Sequence, residues 1–141
     1  MVVRIVSVCS CCCSKLTRFL DGFERLHEHA HSLNLRTILW NRRDYPGSTR
    51  YTDAELEDLA EGRKVFMDKV GQQLADFIVQ FIEKEKIPQA TSDFKAGGVA
   101  VMGWSMGTAS VITLFSDSQL VSPEVYGVLE KYVRDLILNG M

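Results

Sequence analysis

The chain has 141 residues, of which 46% are hydrophobic and 24% charged, and its formal net charge is −2. That length gives one domain with a proper core and is too short to divide into two. The near-neutral balance has neither the basic stripe of a nucleic-acid binder nor an acidic tail, and no apolar run approaches the ~18 residues of a membrane span.

Val2 to Val8 reads as a first strand, with Arg4 its only charged residue. All four cysteines follow within Cys9-Ser10-Cys11-Cys12-Cys13. A secreted disulfide framework needs spaced cysteines, so the cluster points to a reducing, cytoplasmic compartment. Two other readings of this end stay open. Met1 to Cys13, one arginine and a modest apolar stretch, is also a weak signal-peptide pattern, and the cysteines are a target for S-acylation. Adjacent cysteines do not easily surround one ion, so neither a metal site nor a cofactor is expected here.

Leu16 to Leu33 has helical spacing, with Leu16, Phe19, Leu20, Phe23, Leu26, Ala30 and Leu33 as its apolar stripe. Asn34 fits the helix end, and Arg36 to Trp40 reads as a second strand. Within the helix, His27-Glu28-His29-Ala30-His31 satisfies H-E-x-x-H, in which two histidines one turn apart grip zinc and the glutamate is the general base. A zinc peptidase is thus one reading of these residues. The polar face of an amphipathic helix between two strands is the other.

Asn41-Arg42-Arg43-Asp44-Tyr45-Pro46-Gly47-Ser48-Thr49 continues directly from the second strand, and Tyr45-Pro46-Gly47-Ser48 has the residues of a type II turn. Arg42, Arg43 and Asp44 either bind an anionic group or pair with each other and fix the loop. Thr52-Asp53-Ala54-Glu55 is a capping box opening a helical pattern that runs to Ile87, with breaks or kinks expected at Gly62 and Gly71. Phe66, Val70, Leu74, Phe77, Ile78 and Phe81 make its buried stripe; Glu83 to Lys86 is a solvated end and Pro88 stops it. Gln89 to Lys95 is a polar linker.

Gly98 to Met102 then reads as a buried strand, and Thr108 to Phe115 as a helix. Between them stands Gly103-Trp104-Ser105-Met106-Gly107, the G-x-S-x-G pattern in a strand–turn–helix setting, an elbow unit covering residues 98–115. A serine on so sharp a turn is held in strained backbone with its Oγ exposed, and neighbouring backbone approaches too closely for side chains two positions before and after. The helix aims its free N–H groups and positive dipole end at the serine oxygen, which makes the Met106 N–H the natural first oxyanion donor. A phosphate-binding turn is the alternative for a Gly-rich junction, but no G-x-G-x-x-G or G-K-[ST] accompanies it.

Ser122-Pro123-Glu124 opens a last helix with Tyr126, Leu129 and Val133 on its buried face, and Asp135 to Leu138 begins a fourth strand before the chain ends at Met141. The alternation predicts an α/β fold, a parallel sheet flanked by helices with right-handed crossovers. Ligands sit at the carboxyl ends of such strands, where Cys9 to Ser14, Asn41 to Ser48 and Ser105 converge. Trp104, Asn41 and Arg42 are the candidate substrate contacts there.

The stretch from about Leu20 to Leu138 resembles the central part of an α/β-hydrolase-fold protein of the AB-hydrolase-1 type. It is particularly similar to uncharacterised fungal members with N-R-R-D-Y-P-G-S-T before the first long helix and G-W-S-M-G at the elbow, here Asn41–Thr49 and Gly103–Gly107. The resemblance implies a serine nucleophile at Ser105, an oxyanion N–H at Met106 and a small-molecule ester or acyl substrate. The departures are specific. Family order is Ser…Asp/Glu…His, yet His27, His29 and His31 all precede the serine. Asp117, Glu124 and Asp135 follow it but lie in or beside the next helices, and Cys9-Ser10-Cys11-Cys12-Cys13 replaces the His-Gly oxyanion loop. A serine hydroxyl without a base is a poor nucleophile at neutral pH. The expectation is therefore a single, incomplete α/β-hydrolase domain over 1–141 with impaired catalysis. The alternative is a non-catalytic remnant that binds an acyl ligand or a protein partner. An early end to the sheet exposes an edge, through which self-association is expected.

Overall fold

The strand and helix signals become nine elements in a computed structural model that describes residues 2–9, 17–45, 47–93 and 95–140, with side chains from residue 25 onward. In chain order they are β1 (Val2–Cys9), α1 (Thr17–Ser32), β2 (Leu35–Asn41), α2 (Asp53–Ala60), α3 (Lys64–Glu85), β3 (Val99–Ser105), α4 (Gly107–Ser116), α5 (Pro123–Tyr132) and β4 (Val133–Asn139). The fold is mixed α/β. Its strands form one parallel sheet in the order β2-β1-β3-β4. Asn41, Val8, Trp104 and Asn139 lie on one rung, so the carboxyl ends of all four strands finish level.

Local chemistry sets the boundaries. The Thr52 hydroxyl accepts the Glu55 N–H at 3.3 Å while the Glu55 carboxylate accepts the Thr52 N–H at 2.8 Å, the reciprocal pair that starts α2. Gly62, at φ +65°, turns the chain between α2 and α3. Lys86 adopts the left-handed conformation after α3; its N–H reaches the Glu83 carbonyl at 3.3 Å, and that of Ile87 reaches Ile82 at 3.1 Å. Buried Ile82 and Ile87 add the apolar contact that accompanies this stop, and Pro88 follows.

The helices cover both sides of the sheet. Leu74 and Ile78 of α3, Val99 and Val101 of β3 and Val111 and Leu114 of α4 form the main core with Leu129 of α5. Burying a large aliphatic side chain this fully stabilises the fold by about 1.5–3 kcal/mol. Successive strand residues face opposite sides, and Met102 and Trp104 accordingly pack with Leu39 and Leu26 of α1 on the other face.

Three expectations are corrected. Leu33 is 68% exposed, because α1 ends at Ser32 and Asn34, at φ +54°, turns the chain away before Leu33 reaches the sheet. Gly71 does not break α3, which runs unbroken from Lys64 to Glu85. A Cβ there would stand 2.7 Å from Leu120 Cδ2 and 3.2 Å from Thr113 Cγ2, so the missing side chain lets α3 and α4 approach. Val133 does not belong to α5 but opens β4, its extended backbone ending the helix at Tyr132. Leu16, Cys11, Cys12 and Cys13 lie outside the described residues, as does Pro46. Of the turn that Pro46 was to start, Gly47 has φ +85° and the Ser48 N–H donates to the Tyr45 carbonyl at 2.9 Å. Among the described residues no helix is long and apolar enough to cross a membrane.

Candidate active site

The chain runs from β1 outward to β2, then returns to the other side of β1 for β3, so the strand order reverses between β1 and β3. At such a reversal the connections leave in opposite directions and open a crevice at the carboxyl ends of the strands. Cys9 ends β1 there, level with Ser105 at the end of β3.

Ser105 has φ +52°, a left-handed backbone that a residue with a side chain seldom adopts. Its surroundings hold it there. A Cβ on Gly103 would stand 2.6 Å from Thr108 Cα and 2.8 Å from its nitrogen, so strand and helix meet at a distance only glycine permits. The fully buried Thr108 hydroxyl lies 3.2 Å from the Gly103 carbonyl and 3.4 Å from that of Asn139, tying the elbow to the end of β4. Past β4, Gly140 turns at φ +78° beside Ser105, where a Cβ would be 3.7 Å from the serine nitrogen. Met106 is helical and half-exposed, its carbonyl already accepting the Ala109 N–H at 3.2 Å. Its own N–H has no backbone partner among the described residues and stands at the positive end of α4.

The histidines are elsewhere. His27 Nδ1 and the Thr37 hydroxyl share a hydrogen bond, and Thr37 lies four residues below Asn41 on β2, about 13 Å from the strand ends. His29 and His31 follow on α1, both exposed. Among the described residues no three His, Cys, Asp or Glu side chains are grouped to hold a metal ion. The acids after Ser105 are equally distant. Asp117 lies at the far end of α4, about 15 Å along its axis. Asp135 is level with Ala100, about 17 Å down the sheet from Ser105, and pairs with Arg134 at 3.0 Å. Glu124 caps its own helix: its backbone N–H first, then the Ser122 hydroxyl, hold its carboxyl below the ordinary range.

The loop after β2 builds a second feature. Arg43 donates to the Glu55 carboxylate at 2.6 Å and to the Arg50 carbonyl at 2.6 Å, with its guanidinium 5.0 Å from the centre of the Tyr51 ring. Arg43 thus pairs with Glu55 rather than with Asp44. Arg42 lies 5.8 Å from the Tyr45 ring centre and makes further contacts. Arg43 pulls Glu55 well below the usual carboxylate range, to about 2, helped by the Thr52 N–H. Beside this braced loop is a shallow, solvent-open cavity of about 390 Å³ lined by Trp40 and Asn41 of β2, Arg43, Gly47, Ser48 and Thr49 of the loop, and Gln73 of α3.

Of the expected substrate contacts, then, Asn41 lines a cavity at the strand ends, Arg42 lies beside it in the loop, and Trp104 packs half-buried on the α1 face. Ser48 closes the stretch expected at the strand ends, whereas Thr49 and Gln73 were not anticipated as site residues. Gln73 has no sequence signal of its own, since it is one polar residue among several on α3. No family model, no curated protein and no solved structure matches the chain.

Proposed function

We propose that the chain is a serine hydrolase of the α/β-hydrolase kind, acting on an ester or related acyl substrate through Ser105. The left-handed backbone of Ser105 at the β3–α4 turn carries this reading. A fold accepts such strain, about 1–3 kcal/mol, where the side chain so presented is used. In the reaction the Ser105 oxygen bonds to the substrate carbonyl carbon and the Met106 N–H faces the oxyanion that develops. The alcohol leaves with the serine proton, and water then splits the acyl-enzyme to free acid and serine.

None of the three histidines is at the strand ends, so in this chain water relays the hydroxyl proton to the leaving alcohol and turnover is slow. Serine proteases that have lost a triad member retain about 10³–10⁴-fold acceleration over water, and this is the expected scale. The position of the histidines also favours a second reading, a hydrolase remnant that binds an acyl ligand without turning it over.

A fluorophosphonate probe separates the two. The folded protein is expected to label slowly and stoichiometrically, with the adduct on Ser105 and none in Ser105→Ala. A folded protein that stays unlabelled, or a Ser105→Ala variant that labels equally, would overturn the catalytic reading.

A further inference from the structure

We infer that the cavity at the end of β2 receives a neutral, hydroxyl-bearing part of the substrate, a glycerol- or sugar-like group, while the ester carbonyl lies at Ser105. The inference rests on the hydrolase reading above. Position is the first argument. Asn41, Val8 and Trp104 share a rung, so the cavity mouth is two strand spacings, about 10 Å, from the end of β3. Trp40 packs toward α3, as Val99 and Val101 do toward α3 and α4, and Gln73 of α3 also lines the cavity, which places it on the α3–α4 side of the sheet.

Chemistry is the second argument. The lining contains one charge, Arg43, which is already neutralised by Glu55, bonded to the Arg50 carbonyl and stacked on Tyr51. A carboxylate would find no uncommitted cation there. The side chains of Asn41, Ser48, Thr49 and Gln73 are neutral and make no hydrogen bond to another described residue. Two amides and two hydroxyls offer donors and acceptors interspersed, the arrangement that successive hydroxyl groups satisfy in both directions. An alkyl chain would instead displace the water that serves them and return nothing. Trp40, half-buried and 6.0 Å from Phe77 between ring centres, adds an apolar wall for the carbon face of such a group.

The loop is also set before any ligand arrives. The Asp44 N–H donates to the Thr49 carbonyl at 2.9 Å and the Ser48 N–H to the Tyr45 carbonyl at 2.9 Å, while Arg43 bridges to Arg50 and to α2. Ordering already present in the free protein does not weaken binding.

The test uses the Ser105→Ala protein, so that binding is read without hydrolysis. It is titrated with glyceryl monobutyrate, ethyl butyrate and monomethyl succinate while the side-chain amide signals of Asn41 and Gln73 are followed by NMR. Glyceryl monobutyrate is expected to shift both amides and to bind about fivefold or more tighter than ethyl butyrate, the gain that one or two net neutral hydrogen bonds supply. That advantage is expected to disappear in Gln73→Leu and in Thr49→Val, each with the thermal midpoint of the parent. Equal affinities, preference for the charged ester, or an advantage that survives both substitutions would overturn the subsite. Labelled Ser105 without the preference would sink the subsite alone. The preference without labelling would sink the hydrolase and leave a polyol-binding site.

Discussion

Ser105 sits at φ +52° where the Thr108 backbone closes on Gly103 and Gly140 lies alongside. Left-handed backbone is disfavoured by the Cβ, not by the hydroxyl, so alanine keeps the strain and glycine releases it. Ser105→Gly is therefore expected to unfold at higher urea than Ser105→Ala, by about 1 kcal/mol in stability, with both unlabelled by the fluorophosphonate. A glycine variant no more stable than the alanine variant would show that the elbow relaxes around its residue. This geometry was legible because three residues at fixed spacing, Gly103, Ser105 and Gly107, encode it locally. What surrounds the serine was not legible. That the three histidines stand apart from it was readable from their place on the first helix, but the Thr37 partner of His27 and the approach of Asn139 and Gly140 to the elbow are contacts only the folded sheet creates.

The start of α2 combines a local signal with a distant one. Thr52 and Glu55 were readable as a capping box from adjacent sequence, whereas the Arg43–Glu55 pair joins residues twelve apart that meet only when the loop closes. The result is a pH dependence with a definite sign. The Glu55 carboxyl titrates near 4.5 when free and at about 2 when folded, its Arg43 bond being the main cause. A depressed carboxylate stabilises the fold fully above its free value and loses that contribution as pH falls between the two. Melts from about pH 4.5 down to about pH 2 should show the parent losing stability. Glu55→Gln should start lower at neutral pH and fall less over that window. An acid limb of equal slope in the variant would remove Glu55 as its cause. Elsewhere at this scale the helix stripe on α3 was readable from its period, but Gly71 was not. Glycine in a helix reads as a break until the neighbouring helix that needs the space is in place.

Across the whole molecule, alternating strand and helix signals dictated a parallel sheet, while the order β2-β1-β3-β4, and with it the reversal beside Ser105, depends on long-range pairing that no single stretch encodes. Among the described residues the outer side of β4 is unpaired, and Leu136 and Leu138 on that strand are 46% and 50% exposed. An apolar edge of this kind is prone to pair with other chains, and a lysine on it opposes such pairing. Leu138→Lys is expected to lower concentration-dependent association in sedimentation runs, with folding stability within about 0.5 kcal/mol of the parent. Association that persists unchanged would place the adhesive surface elsewhere. The same strand ends at Asn139, whose carbonyl shares the Thr108 hydroxyl proton with that of Gly103. That shared proton adds to the β3–β4 ladder and to the approach of Gly140, so a disturbance of this border, whether fraying or the arrival of another chain, bears directly on the turn that holds Ser105.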